Sequence, residues 1–156
     1  RRYNAMLFIN DRVDIALSVD ADGVHLGQDS MPIHAVRKVL EDYFSRIDNL
    51  SKPLIGVSTH NIDEALIAER DGADFITFGP IYPTPSKLRY GDPIGIEKLI
   101  KASRRVSIPI FGIGGIKSHN AKDVINAGAY GIALISGILG SKDIKEETGK
   151  YIKEIL

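Results

Sequence analysis

Glycine and serine residues near the end of the chain form a pattern that could bind a phosphate group. Gly114 and Gly115 follow one apolar run of residues, and Ser136 and Gly137 follow the next. Glycine lets backbone N–H groups approach an anion closely, and a helix N-terminus behind the loop adds a favourable dipole. Either pair could instead be a tight turn between a strand and a helix. Because the two pairs follow consecutive strands, we predict that they form one phosphate-binding site.

Acidic residues earlier in the chain could bind a divalent cation. Asp11 and Asp29 each follow a predicted strand, and Ser30 comes directly after Asp29. Two carboxylates together with phosphate oxygens of a substrate are a common way to hold Mg²⁺. The alternatives are that Asp11 caps the helix that follows it and that Asp29 caps a loop before Pro32. Considered one at a time, the two carboxylates leave both interpretations open.

A long proline-rich loop over residues 80–93 carries hydroxyl groups and one ammonium group, on Thr84, Ser86 and Lys87. These groups suit a pyrophosphate, because the lysine is a point charge and the hydroxyls donate hydrogen bonds. Long ordered loops after a strand often cover an active site. A surface loop with an incidental lysine would have the same composition.

Two of the four histidines lie on or next to predicted strands. His60 could act as an acid or base at a strand end, but it could equally cap or pack against a helix. His25 alternates with Val24 and Leu26 and has no evident partner in the sequence. The histidines lack the spacing of zinc ligands.

The composition excludes several classes of protein. Twenty basic residues balance twenty acidic ones, so a broad polycationic surface for nucleic acid is not expected. The sequence has no run of about eighteen apolar residues, which a membrane-spanning helix would need. It also has no cysteine, which excludes disulfides, thiolate catalysis and Cys-ligated metals. The cytoplasm is therefore the default compartment.

Short apolar runs alternate with segments of helical periodicity along the whole chain. This alternation is typical of an α/β protein with a parallel sheet that is buried on both faces. The predicted strands cover residues 6–10, 23–27, 54–59, 75–79, 108–114 and 131–136. The predicted helices cover residues 12–19, 32–42, 61–71, 96–106, 119–127 and 144–156.

A weak internal repeat begins at Ala21-Asp22, Ala73-Asp74 and Ala129-Tyr130. The intervals are 52 residues (from 21 to 73) and 56 residues (from 73 to 129), so one βα unit is about 26 to 28 residues, as in barrels of about 200 to 250 residues. A doubly wound sheet is disfavoured because its usual Gly-x-Gly-x-x-Gly loop is missing. We predict a single domain, residues 1–156, that is a (β/α)8 TIM barrel with about six of its eight units present.

Five segments of the chain resemble thiamine-phosphate synthase, in order and at suitable spacing. Each motif is moderately specific, and together they cover nearly the whole chain. They are residues 10–17 (NDRVDIAL), 22–29 (DGVHLGQD), 56–61 (GVSTHN), 79–87 (GPIYPTPSK) and 112–116 (GIGGI).

The resemblance implies a transferase of thiamine biosynthesis that uses Mg²⁺. It would join hydroxymethylpyrimidine pyrophosphate to thiazole phosphate and release pyrophosphate by a dissociative route, without a protein nucleophile. By the same resemblance, Asp11 is a magnesium ligand and Asn10 touches the phosphates of the pyrimidine substrate. Ser58 and Lys87 are the catalytic groups that meet this substrate and its pyrophosphate. The thiazole phosphate is expected at Thr84, Ser86, Gly115, Ile135 and Ser136.

The sequence departs from the family pattern in two places, at the metal site and at the signature that binds the pyrimidine pyrophosphate. Ser30 occupies the usual position of a second acidic metal ligand, and Asp29 lies one place earlier. The family's Gln-x-Arg-x-Lys signature is expected upstream of Arg1, so we expect the 156-residue chain alone to be inactive. The implied partners are the two small-molecule substrates, with no nucleic acid and no membrane, and a homo-oligomer is possible.

The nearest alternative is thiazole tautomerase on the same fold, which would use the same phosphate site and a histidine such as His60. Asp11 favours the synthase, because a tautomerase needs no magnesium bound to pyrophosphate. Ser30 favours the tautomerase. A further alternative is an inactive fragment.

Overall fold

A computed structural model of the chain describes residues 3–45, 52–85 and 92–156. In these residues, six parallel strands form one sheet in the order β1-β2-β3-β4-β5-β6. The strands are β1 (Phe8–Asn10), β2 (Gly23–Leu26), β3 (Leu54–Thr59), β4 (Phe75–Phe78), β5 (Ile110–Ile113) and β6 (Gly131–Ala133). The helices are α1 (Val13–Ser18), α2 (Ile33–Phe44), α3 (Ile62–Arg70), α4 (Gly95–Ser103), α5 (Ser118–Asn126), α6 (Ser136–Leu139) and α7 (Ile144–Ile155).

The hydrophobic core lies between the sheet and the helices. Val24, Ile55 and Ile76, from three adjacent strands, are fully buried. Val36 of α2 and Leu99 of α4 are fully buried on the helix side. Parallel strands that are covered by helices must be apolar at these positions, which explains the continuous apolar runs of the sequence.

The inner surface of the sheet holds a row of aromatic rings. The Phe8 ring lies 5.2 Å from the Phe75 ring, and the Phe75 ring lies 5.5 Å from the Phe111 ring. Phe8 belongs to β1 and Phe75 to β4, and these strands are not neighbours. Their contact therefore requires the sheet to curl, as in part of a barrel.

Glycines make room for these rings. Gly23, Gly56 and Gly131 are the direct cross-strand partners of Phe8, Phe75 and Phe111, respectively. A Cβ atom at any of these glycines would overlap the ring of its partner. Small residues beside large ones thus allow the curled inner surface to close.

The internal repeat of the sequence has a structural basis at the start of the strands. The Asp22 carboxylate accepts a hydrogen bond from the Leu7 N–H, and the Asp74 carboxylate accepts one from the Ile55 N–H (2.7 Å). Arg37 forms an ion pair with Asp74 at 2.9 Å. The repeated aspartates thus tie the start of one strand to the strand before it.

The predicted parallel α/β class is confirmed, and all six predicted strands are present. The strand over residues 54–59 is predicted with the bounds that β3 has. The predicted strand over residues 131–136 is wrong at its end, because the backbone turns at Ile135 and α6 begins at Ser136. The six strands form part of a barrel. Within residues 3–45, 52–85 and 92–156, no helix has the length and apolarity that a membrane crossing needs.

Candidate active site

A cavity of about 180 Å³ lies at the carboxyl ends of strands β3 to β6. This is the edge of the sheet where barrels place their active sites. Its walls come from Ser58, Thr59, His60, Thr77, Gly79, Pro80, Pro83, Thr84, Pro85, Ile113, Gly114, Gly115, Ile116, Lys117, Ala133, Leu134, Ile135, Ser136 and Gly137. The cavity thus contains both glycine-rich pairs that the sequence singles out.

Gly114 and Gly115 form the floor of this cavity in a conformation that favours glycine. Their φ angles are 92° and 68°, in the left-handed region that other residues rarely adopt. A Cβ atom at Gly115 would lie 2.5 Å from the Tyr82 carbonyl oxygen and 2.6 Å from that of Pro83. The Tyr82 N–H also donates to the Gly114 carbonyl oxygen at 3.0 Å. The loops after β4 and β5 are therefore packed backbone against backbone.

Ser136 and Gly137 form the neighbouring wall, at the first turn of α6. A Cβ atom at Gly137 would lie 2.7 Å from the Tyr151 hydroxyl oxygen. The same hydroxyl donates to the Ile116 carbonyl oxygen at 3.2 Å, and burial raises the pKa of Tyr151. Tyr151, on α7, thus braces the loops after β5 and β6 against each other.

The charge of the cavity suits an anion. The described residues that line it include no aspartate or glutamate, and they include the basic residue Lys117. The hydroxyls of Thr84 and Ser136 add hydrogen-bond donors. Lys117 was not predicted from the sequence, although its position two residues after Gly115 is a signal that could have identified it. We call Thr84, Gly114, Gly115, Lys117 and Ser136 the phosphate end of the site.

His60 also lines the cavity and is paired with a carboxylate. Its Nδ1 lies 3.2 Å from Glu64 Oε2, and its backbone N–H donates to the same oxygen at 2.7 Å. The Asn61 side chain caps α3 by accepting from the Glu64 N–H at 2.8 Å. The N-cap of α3 is therefore Asn61 and not His60, which lines the cavity.

Ser58 lies at the wall of the cavity and is held from strand β2. His25 Nε2 lies 3.0 Å from Ser58 Oγ, and Thr77 Oγ1 lies 3.4 Å from both atoms. Gln28 Nε2 donates to the Ser58 carbonyl oxygen at 2.6 Å. Burial lowers the pKa of His25, which favours a neutral ring. The sequence had given no partner for His25.

The predicted metal ligands lie at the opposite side of the same sheet edge, after β1 and β2. Asp11 is exposed and has a φ of 65°, and its N–H donates to the His25 carbonyl oxygen at 2.9 Å. The N-cap of α1 is Arg12, so Asp11 is not the helix cap. We call Asn10, Asp11, Asp29 and Ser30 the acidic end of the site.

The side chain of Ser30 forms a hydrogen bond within its own turn, whereas that of Asp29 is exposed. Ser30 Oγ accepts a hydrogen bond from the Gly27 N–H at 2.8 Å, and the N-cap of α2 is Pro32. Asp29 is exposed on the same turn. Carboxylate oxygens are ligands that suit Mg²⁺, so Asp11 and Asp29 fit such an ion better than Ser30 does. None of the four residues of the acidic end lines the cavity.

The structure brings together part of the predicted site. Ser58, Thr84, Gly115, Ile135 and Ser136 line one cavity. Ser86 and Lys87 lie outside the described residues. Within the part of the chain that the structure describes, no group of three or more His, Asp or Glu side chains could hold a metal ion; the predicted magnesium site has two carboxylates.

Comparisons with known proteins agree on one family. The family model described as "Thiamine monophosphate synthase" matches residues 1–138. A thiamine-phosphate synthase of Chloroflexus aurantiacus is 47% identical over 144 residues, which are 92% of this chain and 62% of that protein. The chain thus spans less than two thirds of the length of this relative.

Solved structures give the same result at the level of the fold. A thiamine phosphate pyrophosphorylase from Pyrococcus furiosus superimposes with a TM-score of 0.87 at 39% identity, over 99% of this chain and 69% of that one. A 3-hexulose-6-phosphate synthase shares the fold alone, with a TM-score of 0.67 at 19% identity over 92% of this chain and 67% of that one. With a family model that matches most of its length and a relative of this identity, the chain belongs to the thiamine monophosphate synthase family.

Proposed function

We propose that the protein that contains this chain is a thiamine-phosphate synthase and that this chain provides its thiazole-phosphate site. The reaction joins hydroxymethylpyrimidine pyrophosphate to thiazole phosphate and yields thiamine phosphate and pyrophosphate. The observation that carries the proposal is the phosphate end, a glycine-floored cavity whose described lining has no carboxylate. Membership of the family supports it.

The thiazole phosphate occupies the cavity at the phosphate end. Gly115 lines the cavity with backbone atoms alone, and Ser136 and Thr84 line it as residues that carry hydroxyls. Ile135, which is 68% exposed, provides an apolar surface beside the phosphate. Ser86 is a further proposed ligand of this phosphate by its position in the sequence. Backbone N–H groups and hydroxyls bind a phosphate without a change in charge state.

The pyrimidine pyrophosphate occupies the side of the site between the cavity and the acidic end. Asn10, Ser58 and Lys87 are the proposed contacts of this substrate. Asp11 and Asp29 would hold Mg²⁺, with Ser30 as the weaker candidate for the second ligand. When bound, the ion supplies positive charge that stabilises the leaving pyrophosphate. The carboxylates of the acidic end are exposed, so they are available to such an ion.

The chain's own contribution to the chemistry is positioning. Departure of pyrophosphate leaves a pyrimidine cation, which the thiazole nitrogen attacks. No protein group forms a covalent bond, so the enzyme must hold the nucleophile in line with the departing group. Ser58 lines the cavity whose floor is Gly115. It can therefore contact the pyrimidine substrate while the thiazole phosphate is held next to it.

A thiazole tautomerase is the second candidate function. It is favoured by one observation, the His60–Glu64 pair at the cavity wall. A carboxylate that accepts from Nδ1 leaves Nε2 of the histidine available to move a proton. This reaction needs the phosphate end and His60 but not the acidic end.

The experiment that separates the two functions replaces Asp11 in the full-length protein. Asp11→Asn keeps a residue that tolerates the left-handed backbone and removes the charge. We expect Mg²⁺-dependent thiamine phosphate formation to fall about 100-fold, since a charged ligand of the ion is lost. Asp14→Asn is the matched control, because Asp14 is an exposed neighbour paired with Arg12. If the protein only interconverts thiazole tautomers and Asp11→Asn leaves that rate unchanged, the synthase proposal is wrong.

The six βα units are proposed to be part of an eight-unit barrel, in keeping with the superposition on 69% of the Pyrococcus furiosus protein. The cytoplasmic location and a homo-oligomer stay predictions from the sequence.

A further inference from the structure

His25 occupies a position that the proposed chemistry does not use. It lies on β2, and its ring centroid is 5.8 Å from that of Phe75 on β4. Gly56, its direct cross-strand partner on β3, leaves the space that the ring needs, because a Cβ atom there would lie 2.7 Å from His25 Nδ1. The ring is half-buried and does not line the cavity. Its Nε2 reaches Ser58, which does line the cavity.

The contacts of Ser58 come largely from β2 and the turn after it. His25 Nε2 is 3.0 Å from Ser58 Oγ, and Gln28 Nε2 donates to the Ser58 carbonyl oxygen at 2.6 Å. Thr77 Oγ1, on the other side of Ser58, is 3.4 Å from both Ser58 Oγ and His25 Nε2. Both the side chain and the backbone of Ser58 are therefore held from the neighbouring strands.

We propose that His25 is a positioning residue that fixes the hydroxyl of Ser58 toward the pyrimidine substrate. A serine side chain has three staggered rotamers of similar energy, and one hydrogen bond is enough to select among them. Holding a contact group in one orientation before the substrate binds removes that ordering cost from the reaction. The inference rests on the proposed function, in which Ser58 contacts this substrate.

The arrangement is not that of an activated nucleophile. In such triads a third group, usually a carboxylate, orients the histidine. Among the described residues, the ring nitrogens of His25 contact only Ser58 and Thr77. His25 therefore orients the Ser58 hydroxyl by a hydrogen bond, and no proton transfer from this hydroxyl is proposed.

A double-mutant cycle in the full-length protein tests this role. We expect His25→Ala and Ser58→Ala each to lower kcat/KM for the pyrimidine substrate about tenfold, the effect of one well-placed hydrogen bond. Because both changes remove the same contact, the double variant should be no worse than Ser58→Ala alone. His25→Gln keeps a polar group on a side chain of similar length and should recover most of the loss. Losses that multiply in the double variant would overturn the proposal.

A substitution that changes only the packing around His25 shows whether His25 positions Ser58 or merely supports the fold. Phe75→Leu removes the ring beside His25 but leaves the His25–Ser58 contact, so its effect should multiply with that of Ser58→Ala. Thermal unfolding of every variant shows whether it is folded. If His25→Ala lowers only the melting temperature and leaves kcat/KM unchanged, His25 is merely structural and the proposal fails.

An NMR measurement on His25 tests the contact with Ser58 independently of the proposed function. The ¹⁵N chemical shift of His25 Nε2 should change in Ser58→Ala, whatever the protein binds, because the hydrogen bond is lost. An unchanged shift would contradict the contact and the proposal with it. Absence of synthase turnover in the wild-type full-length protein would instead defeat the proposed function, and with it the substrate role assigned to Ser58.

Discussion

The phosphate end is enclosed by backbone that has little room to move, whereas the acidic end consists of side chains on two turns. Gly114 and Gly115 are fixed by their φ angles and by contacts with the loop after β4. Asp11 and Asp29 are exposed, and neither lines the cavity. The two ends lie on one edge of the sheet but are built by different means.

The difference shows what each ligand requires of the protein. A phosphate bound by N–H groups needs a backbone shape that exists before it arrives. A magnesium ion bound by carboxylates and substrate oxygens can draw exposed side chains together when it binds. We therefore expect the phosphate end to be sensitive to steric changes and the acidic end to be sensitive to changes of charge.

The largest effect is expected from Gly115→Ala. The new methyl group would press on the carbonyl oxygens of Tyr82 and Pro83, and the left-handed backbone costs about 1–2 kcal/mol for alanine. We expect the affinity for thiazole phosphate to fall about 100-fold, measured by titration calorimetry. Gly72→Ala is the matched control: Gly72 has a φ of 95° and open space around it. Equal losses of thiazole phosphate affinity in both variants would show that strain alone, and not the cavity floor, is responsible.

Substitutions of Asp29 and Ser30 should change different properties of the protein, the Mg²⁺ requirement and the stability of the fold, respectively. Asp29→Asn should raise the Mg²⁺ concentration for half-maximal activity about tenfold, since a charged ligand is lost. Ser30→Ala should instead lower the free energy of unfolding by about 1 kcal/mol, because the Gly27 N–H loses its partner. The Mg²⁺ requirement of that variant should stay near the wild-type value. If Ser30→Ala shifts the Mg²⁺ requirement and Asp29→Asn does not, Ser30 is the second ligand.

Lys117→Met should weaken phosphate binding by about fivefold, the size of one exposed charge interaction. The loss should shrink as ionic strength rises, because salt screens the charge. Lys122→Met provides the control, since Lys122 is exposed on α5 and does not line the cavity. Equal effects of the two substitutions on phosphate affinity would indicate that the overall charge of the protein, and not a contact of Lys117 in the cavity, is responsible.

The smallest effect concerns stability and pH. Burial lowers the pKa of His25 from its ordinary value of 6.5, so the unfolded chain binds this proton more readily than the folded one. The contribution of His25 to stability is therefore greatest above pH 6.5 and declines as the pH falls from there toward the lowered pKa. Urea unfolding between about pH 5 and 8 should show this slope in the wild type. His25→Gln should reduce the slope, and an unchanged slope in that variant would contradict the assignment.

The sequence indicated which residues of the phosphate end lie together better than it indicated the polar contacts of Ser58. Glycine pairs after strands are local signals, and Gly114, Gly115 and Ser136 line one cavity; that they bind a phosphate stays a prediction. The His25–Ser58 contact joins residues 33 positions apart, and its geometry depends on the curl of the sheet. No local pattern encodes such a distance, so His25 had no predicted partner.

The predicted end of strand β6 was wrong because the chain turns there instead of continuing in an extended conformation. Leu134 and Ile135 continue the apolar run of β6 in the sequence, but the backbone turns at Ile135 and α6 begins at Ser136. Lys117 was missed for a related reason, because its role depends on which side of the loop after β5 faces the cavity. The neighbouring glycines make contacts that are distant in sequence, Gly137 with Tyr151 and Gly115 with the loop after β4.

The assignment of the phosphate end is tested most directly by titration of the ¹⁵N-labelled full-length protein with thiazole phosphate, followed by NMR. The backbone amides of Gly114, Gly115 and Ser136 should shift together with one dissociation constant, while those of Asp11 and Asp29 should stay near their starting positions until Mg²⁺ and pyrophosphate are added. Shifts confined to Asp11 and Asp29, or no saturable shift at the glycines, would contradict the assignment of the phosphate end.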